Sequence, residues 1–484
     1  MTKHLTSLFP TLSSPAATFL FLMLCLLTPS LRAQDPFVPP TVGQHVLVRD
    51  SAKVDSLIKP SEHPAEPDAG LLPDSVFAVD STIISGNEKT KDFVILRELS
   101  LRTGVMITSA AIRYDQQRIY SLGLFNDVRM WVSPTGTRKA NVYIKVVERW
   151  YILPYPIFGM KEGKWSKAYF GAGLVHTNFR GRNEKLFVNF GLGYDPFGSI
   201  SYRNPFLDEA GTKFIEGRVS YSRVRNRSAL VLVHPGDVFD EKHLSVAMTF
   251  GKRYGNTQTA WISGEFHMVT VDDYIPPPTT STTGTDRFPM LTIGYAYDSR
   301  DLFEYTGSGT LFSVSATKYG FPRSEIDYIR YSLDVRRYLP LGPRFTLAGR
   351  GYTNLLAGSR APSYNRVYLG YQYHVRGYYA VVAEGENIFG TSAELRYALI
   401  PPFIYKSKLL PSQFGVWKFS VNLALFADLG TVWLRGNPIT IANTLRGYGA
   451  GIHFGLPYGV LLRTDYAIND LRKGEFIIDV GAAL

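Results

Sequence analysis

Little in this chain is arranged for bond-making chemistry. Its one cysteine, Cys25, lies in an apolar run near the N-terminus. A mature chain without that run has no thiolate nucleophile, disulfide framework or thiolate metal site. The nine histidines are scattered, with no His-Glu-x-x-His spacing. Serine is abundant, yet no Gly-x-Ser-x-Gly elbow occurs. The residues therefore ask for no enzyme activity, cofactor or metal. What stands out is charge. Arg376 lies in Val375-Arg376-Gly377-Tyr378, Glu394 in Ala393-Glu394-Leu395-Arg396, and Asp428 in Phe426-Ala427-Asp428-Leu429-Gly430. A guanidinium fork can hold a carboxylate through two parallel hydrogen bonds. The chemistry on offer is ion pairing that pins a segment. Read alone, Arg376 is an exposed loop arginine.

The elements around these residues decide between the two readings. From Trp150 onward the chain reads as segments of alternating character separated by turn residues. Val188, Phe190, Leu192 and Tyr194 oppose Asn189, Gly191 and Gly193. Leu244, Val246, Met248 and Phe250 oppose His243, Ser245, Ala247 and Thr249. One face is greasy, the other small or charged, as in transmembrane β-barrels. About sixteen such segments fit between Tyr151 and Leu484, and bacterial barrels use even strand numbers. Two connections read as long, residues 271–288 and 356–388, and long connections are usually functional. Alternation turns Glu394 and Asp428 inward, because Ala393, Leu395 and Tyr397, like Leu423 and Leu425, form the greasy face.

Composition agrees. Charged residues are 19% and aromatic residues 14%, with 30 Tyr, 30 Phe and 43 Gly. Charge is below the soluble average of about 25%, and aromatic girdles mark barrel interfaces. The net charge of +11 comes from dispersed basic residues, so nucleic acid is not the expected partner.

The N-terminal part reads as an export leader and a tether. Lys3 and His4 precede an apolar run from Phe19 to Leu27, and Leu31-Arg32-Ala33 offers a cleavage point. Residues 1–33 are therefore a signal peptide, too short in its apolar run to span a bilayer, which takes about 20 residues. Leu24 is not the small residue a lipoprotein site wants before Cys25. Later in the chain no apolar run is long enough for a helical span. Residues 34–74 hold Pro36, Pro39, Pro40, Pro60, Pro64, Pro67 and Pro73 and read as an extended tether.

Residues 75–150 form a compact α+β unit. A strand over 76–85 ends at Gly86-Asn87. Thr90 is an N-cap candidate for a helix running to about Arg102. Thr108 or Ser109 opens a second helix, which Gly123 stops. Residues 125–133 and 141–147 then alternate as strands. The order is strand, helix, helix, strand, strand.

Taken together, these motifs resemble the outer-membrane assembly-factor superfamily, the BamA/TamA-like group with a POTRA domain and a bacterial surface antigen barrel. Val375-Arg376-Gly377-Tyr378 looks like the tip of its loop between barrel strands eleven and twelve, where the segment count also places it. Tyr297-Asp298-Ser299-Arg300-Asp301 with Gly307-Ser308-Gly309 resembles its central turn, and residues 178–183 its early turn. The strand-helix-helix-strand-strand unit resembles POTRA. The resemblance covers residues 75–484.

It implies a POTRA domain at 75–150 followed by an all-β, sixteen-stranded antiparallel transmembrane barrel at 151–484. By resemblance, the loop folds back into the lumen and Arg376 pairs with Glu394 and Asp428, with Val375, Gly377, Tyr378, Phe426 and Gly430 completing the latch. The implied place is the outer membrane with POTRA in the periplasm. Partners would be client outer-membrane or secreted polypeptides, outer-membrane lipid and accessory assembly subunits. The implied function is assembly and insertion of client polypeptides, and the alternative is a two-partner-type secretion pore. A barrel seam joins the first strand to the last. Pro154 and Pro156 cannot donate ladder bonds and Gly481 offers no side chain to pack, so the seam is expected to be weak. Two features depart from the pattern: a single POTRA unit, and an ending Val480-Gly481-Ala482-Ala483-Leu484 without the usual aromatic.

Overall fold

The computed structural model describes residues 77–480, apart from 161–164, 209–210, 227, 229–238, 256, 272–280, 301–304, 371, 380, 407–415, 438, 441–442 and 457–460. The expected signal peptide, the tether and Gly481 lie outside the described residues.

The first unit runs β1 (Ala78–Ser85), α1 (Asp92–Leu96), α2 (Ser109–Ser121), β2 (Phe125–Pro134) and β3 (Lys139–Glu148). Its sheet has the order β1-β3-β2, with β1 parallel and β2 antiparallel to β3. Alternate residues of the strands face the helices. Val79, Val94, Ile95, Ile119, Val142 and Ile144 are buried together there. Thr108 caps α2 as expected, its side chain accepting from the Ala111 N–H.

The first helix is shorter than the sequence suggests. It ends at Leu96 rather than near Arg102, and Lys91, not Thr90, stands at its N-cap. Buried Asp115 explains the end. Its carboxylate accepts the backbone N–H groups of Ser100 (2.8 Å) and Leu101 (2.9 Å), which a longer helix would turn inward. Thr90 is drawn elsewhere, to Tyr151 and Asn178.

The remaining strands form one antiparallel sheet of sixteen. Eleven come first: β4 (Ile152–Met160), β5 (Ala168–Phe179), β6 (Glu184–Gly193), β7 (Phe197–Asn204), β8 (Lys213–Arg225), β9 (Asp240–Tyr254), β10 (Gln258–Val271), β11 (Thr285–Asp298), β12 (Gly309–Tyr319), β13 (Tyr328–Pro340) and β14 (Phe345–Gly358). A small hairpin of β15 (Val367–Leu369) and β16 (Ala383–Gly385) lies in the next loop. Then follow β17 (Asn387–Lys406), β18 (Val416–Trp433), β19 (Thr444–Gly455), β20 (Leu461–Asn469) and β21 (Gly474–Val480). Each strand pairs with its sequence neighbour, except that β14 pairs with β17 across the loop. Alternation sorts the side chains. Phe190, Leu192, Val246, Met248, Leu291 and Ile293 are exposed on the outside, while Thr249, His267, Thr292, Glu394 and Asp465 are buried inside. Among the described residues no helix is long and apolar enough to cross a membrane.

The first long connection is shorter than its composition suggests. β11 begins at Thr285, so Asp286 and Phe288 stand in a strand opposite Val269 and His267. Inward contacts extend it: Asp286 accepts from the Tyr364 hydroxyl and Phe288 stacks on His267 at 5.5 Å. The second connection is confirmed and falls between the eleventh and twelfth barrel strands.

The two units share atoms at their junction. Phe206, in the turn after β7, is buried in the first unit's core. The Arg97 guanidinium lies 3.5 Å above its ring. The Gly181 carbonyl accepts the Lys91 N–H at 2.9 Å. Asn178 donates to Thr90 (2.9 Å), whose hydroxyl lies 3.0 Å from that of Tyr151.

Candidate functional site

The site is assembled from the loop over residues 359–386 and the lumen wall. Arg330 holds the base of the loop, donating to the carbonyls of Glu386 (3.1 Å) and Asn365 (2.8 Å). The β15–β16 hairpin narrows it. Tyr373 stacks on Tyr352 of β14, centroids 4.5 Å apart. The tip that follows is pressed against β17 to β20.

Arg376 is the centre of the tip. Its Nε and Nη2 donate to Asp428 Oδ2 (2.7 Å) and Oδ1 (2.8 Å), a bidentate fork. Its Nη1 donates to Glu394 Oε2 at 2.9 Å and lies 3.6 Å from Asp465 Oδ2. Its own backbone N–H adds a bond to Asp428 at 3.2 Å. The guanidinium plane lies 3.5 Å over the Phe426 ring, a cation–π contact. Arg376 is 5% exposed, Glu394 1% and Asp428 8%. These side chains are shielded from bulk solvent, so each bond is stronger, and its loss costlier, than at a surface.

The neighbours of Arg376 hold the backbone. Gly377 adopts φ +95°, a conformation glycine tolerates best, and its carbonyl accepts from Asn469 at 2.9 Å. Tyr378 donates its hydroxyl to Asp470. Val375 is buried against Gly430, where a β-carbon would lie 2.7 Å from its methyl. The Tyr379 N–H donates to Glu475 of the last strand at 2.9 Å.

Every latch residue named from sequence thus falls in one cluster. The cluster is larger than expected. Asp465 of β20, 0% exposed, accepts from Arg463 (3.2 Å) and meets His453 Nε2 at 3.1 Å. His453 Nδ1 reaches the Tyr305 hydroxyl at 3.1 Å. Arg396 donates to the far oxygen of Glu394 (2.7 Å) and to the Thr306 carbonyl (3.0 Å). Residues 305–306 belong to the turn after β11, so that turn enters the lumen from the end opposite the loop. Gly447 completes the seat, since a β-carbon there would lie 1.7 Å from the Arg376 carbonyl oxygen. The available signal for Asp465 and Arg463 was their place on the inward face of an alternating segment. Nothing in the sequence marks Gly447 among so many glycines.

The free edges of the sheet are the second feature. Among the described residues no ladder joins β4 to β21. The hydrogen bonds fix which backbone groups face that gap. Thr177 N–H donates to the Tyr151 carbonyl at 2.9 Å, so by antiparallel alternation the odd-numbered residues of β4 bond to β5. The even-numbered residues, including Pro154 and Pro156, turn their backbone away from β5. At β21, Asn469 N–H donates to Lys473 at 3.0 Å, which turns Gly474, Phe476, Ile478 and Val480 to the outer edge. The two prolines thus remove donors from the edge of β4 that no neighbour covers, where sheets accept proline.

A sixteen-stranded barrel carrying one α+β unit at its N-terminal end and an inward loop pinned by arginine defines the class. The comparisons with known proteins give it a family. The profile of the Omp85 superfamily domain matches residues 178–482, and that of POTRA, the surface antigen variable number repeat, matches residues 77–149. The chain belongs to the Omp85 superfamily. It is 26% identical over 441 residues to "Outer envelope protein 80, chloroplastic" of Arabidopsis thaliana, covering 81% of this chain and 54% of that one. It is 22% identical over 320 residues to "Outer membrane protein assembly factor BamA" of Nitratidesulfovibrio vulgaris, covering 62% and 37%. The chain thus spans about half or less of these relatives' length. Two solved structures share the fold. BamA from Haemophilus ducreyi lacking POTRA domains 1–3 gives a TM-score of 0.56 at 17% identity, covering 84% of each chain. CdiB from Escherichia coli gives 0.57 at 14%, covering 84% of this chain and 75% of that one.

Proposed function

We propose that this protein assembles other polypeptides into the outer membrane, capturing them at its POTRA unit and inserting them at the β4–β21 seam. The observation that carries the reading is the pairing of a locked interior with unladdered edges. The Arg376 tip and residues 305–306 converge on one charged cluster inside the barrel, the tip on Glu394 and Asp465, the turn on Arg396 and His453, which favours a route along the wall over one through the lumen. The edge of β4 lacks two donors, so pairing there is weak and exchangeable. A client strand has unsatisfied backbone groups of its own and gains by adding to such an edge. In the POTRA sheet, β1 and β2 are both edges, and β2 is the candidate for first capture. The likeness to proteins called outer membrane assembly factors supports the reading. In it the barrel spans the outer membrane with POTRA in the periplasm.

Depleting the protein and quantifying outer-membrane proteins tests this. Broad loss of many barrel proteins is expected. Loss of a single secreted partner alone would instead support a dedicated secretion pore. The seam itself makes a sharper prediction. A disulfide engineered between one residue of β4 and one of β21 is expected to stop client insertion, and reductant is expected to restore it. Insertion that continues at the wild-type rate with the disulfide closed would end the lateral-seam mechanism.

A further inference from the structure

The junction between the POTRA unit and the barrel carries a groove that the assembly reading does not use. It is lined by Lys89, Trp150, Ile152, His176, Arg180 and Gly181. We propose that this groove binds the phosphate of a bilayer phospholipid, at the foot of the seam strand β4. The proposal rests on the barrel standing in a bilayer.

Three observations converge. The first is level. Trp150 is 55% exposed, and Ile152 and Phe158 follow it as exposed apolar residues on the same face of β4. The groove therefore opens where the greasy outer face begins, the depth at which tryptophan settles in membranes and at which headgroup phosphates lie. The second is charge. Lys89 is exposed and meets no carboxylate at ion-pair distance among the described residues. The adjacent acid, Glu148, is already engaged: its oxygens accept the backbone N–H groups of Thr90 (2.7 Å) and Lys89 (3.1 and 3.2 Å). Arg180 uses Nε and Nη2 on Glu184, at 2.8 and 2.9 Å, which holds its guanidinium at the rim while its side chain stays 56% exposed. The third is a neutral donor. His176 Nδ1 accepts the Asn178 N–H at 3.3 Å, so in the neutral ring the proton sits on Nε2. One fixed guanidinium, one exposed ammonium and one imidazole N–H suit a phosphodiester, with Trp150 and Ile152 against the first carbons of its chains.

The site has a geometric consequence. Lys89 belongs to the segment that docks POTRA on the barrel, next to Thr90 and Lys91, and Ile152 opens β4. A phosphate held there ties POTRA, seam strand and membrane surface at one point.

The full-length chain, folded in nonionic detergent, is titrated with phosphatidylglycerol and weighed intact by native mass spectrometry. One retained lipid is expected. Lys89→Gln should weaken retention about fivefold, from roughly 1 kcal/mol per basic residue at a membrane surface, and Trp150→Ala should weaken it as well. Arg360→Ala, at the opposite end of the barrel, should not. Equal retention by wild type, Lys89→Gln and Trp150→Ala overturns the site. Displacement of the lipid by inorganic phosphate alone overturns the lipid and leaves a simple anion site. Heat-modifiable electrophoretic mobility checks that each variant is folded. A photoactivatable phosphatidylglycerol on the wild-type protein provides the second measurement: cross-links should fall near residues 89 and 150–152, and labelling confined to other strands overturns the proposal without any variant. Reconstitution into vesicles separates the two readings. A chain that never enters the bilayer removes the membrane premise, whereas one that enters but retains no lipid at this groove removes only the site.

Discussion

Replacing Arg376 with alanine is expected to leave Glu394, Asp428 and Asp465 facing one another inside the barrel without their shared cation. Each is at most 8% exposed with Arg376 in place, and water entering the void would replace the guanidinium's charge only in part. Removing one partner of a buried pair costs about 3–5 kcal/mol, and here one guanidinium serves a bidentate fork, a second carboxylate and the face of Phe426. The remaining cations, Arg396 and Arg463, are committed to Glu394, Asp465 and Asp479. The urea midpoint of the folded barrel and the rate of client insertion should both fall. Arg376→Lys should recover little, because an ammonium makes no planar fork and lies poorly over a ring. The control is Arg360→Ala, an exposed residue of the same loop, expected within about 0.5 kcal/mol of wild type. If the two alanine variants unfold and insert clients alike, the tip is not a latch.

Gly447→Ala attacks the same seat with every charge intact. The added β-carbon would lie 1.7 Å from the Arg376 carbonyl oxygen, and backbone on both sides leaves no side chain to swing away. The tip must lift, carrying the guanidinium from Asp428. Overpacking alone costs about 1–3 kcal/mol, and the lost ion pair adds to it. The signature is non-additivity. Residues acting as one unit do not sum, so Gly447→Ala combined with Arg376→Ala should be scarcely worse than Arg376→Ala alone. Gly349→Ala, in β14 with nothing within 4 Å of its new β-carbon, should be mild. Fully additive losses in the double variant would show that Gly447 and Arg376 serve separate structures.

How much of this was legible in the sequence differs from element to element. Glu394 and Asp428 could be placed because period-two alternation assigns a face to each residue once its neighbours are known to be greasy. The strand count followed from the same rhythm, and it put the loop at the right crossing. Asp465, His453 and Tyr305 were beyond reach as partners. They join the cluster through the closure of the sheet and an infolded turn, and no local pattern encodes which inward residues meet across a lumen. The overlong first helix has a similar cause. Phe93, Val94, Leu96 and Leu99 do recur at helical spacing, but Asp115, from another helix, takes the N–H groups that would have continued it. Phe288 was misplaced in a loop because the Pro and Thr content before it hides contacts made only once Tyr364 arrives.

The place of Phe206 changes what counts as a part of this molecule. By chain order it belongs to the barrel, yet it is a core residue of the POTRA unit and carries Arg97 on its ring. The covalent boundary near Trp150 is therefore not a thermodynamic one. Cutting the chain there would leave a hole in one piece and a bare aromatic ring on the other. The two units are therefore expected to unfold together, and a torque applied to POTRA would reach the turns after β5 and β7 and, through Tyr151, the foot of the seam strand β4.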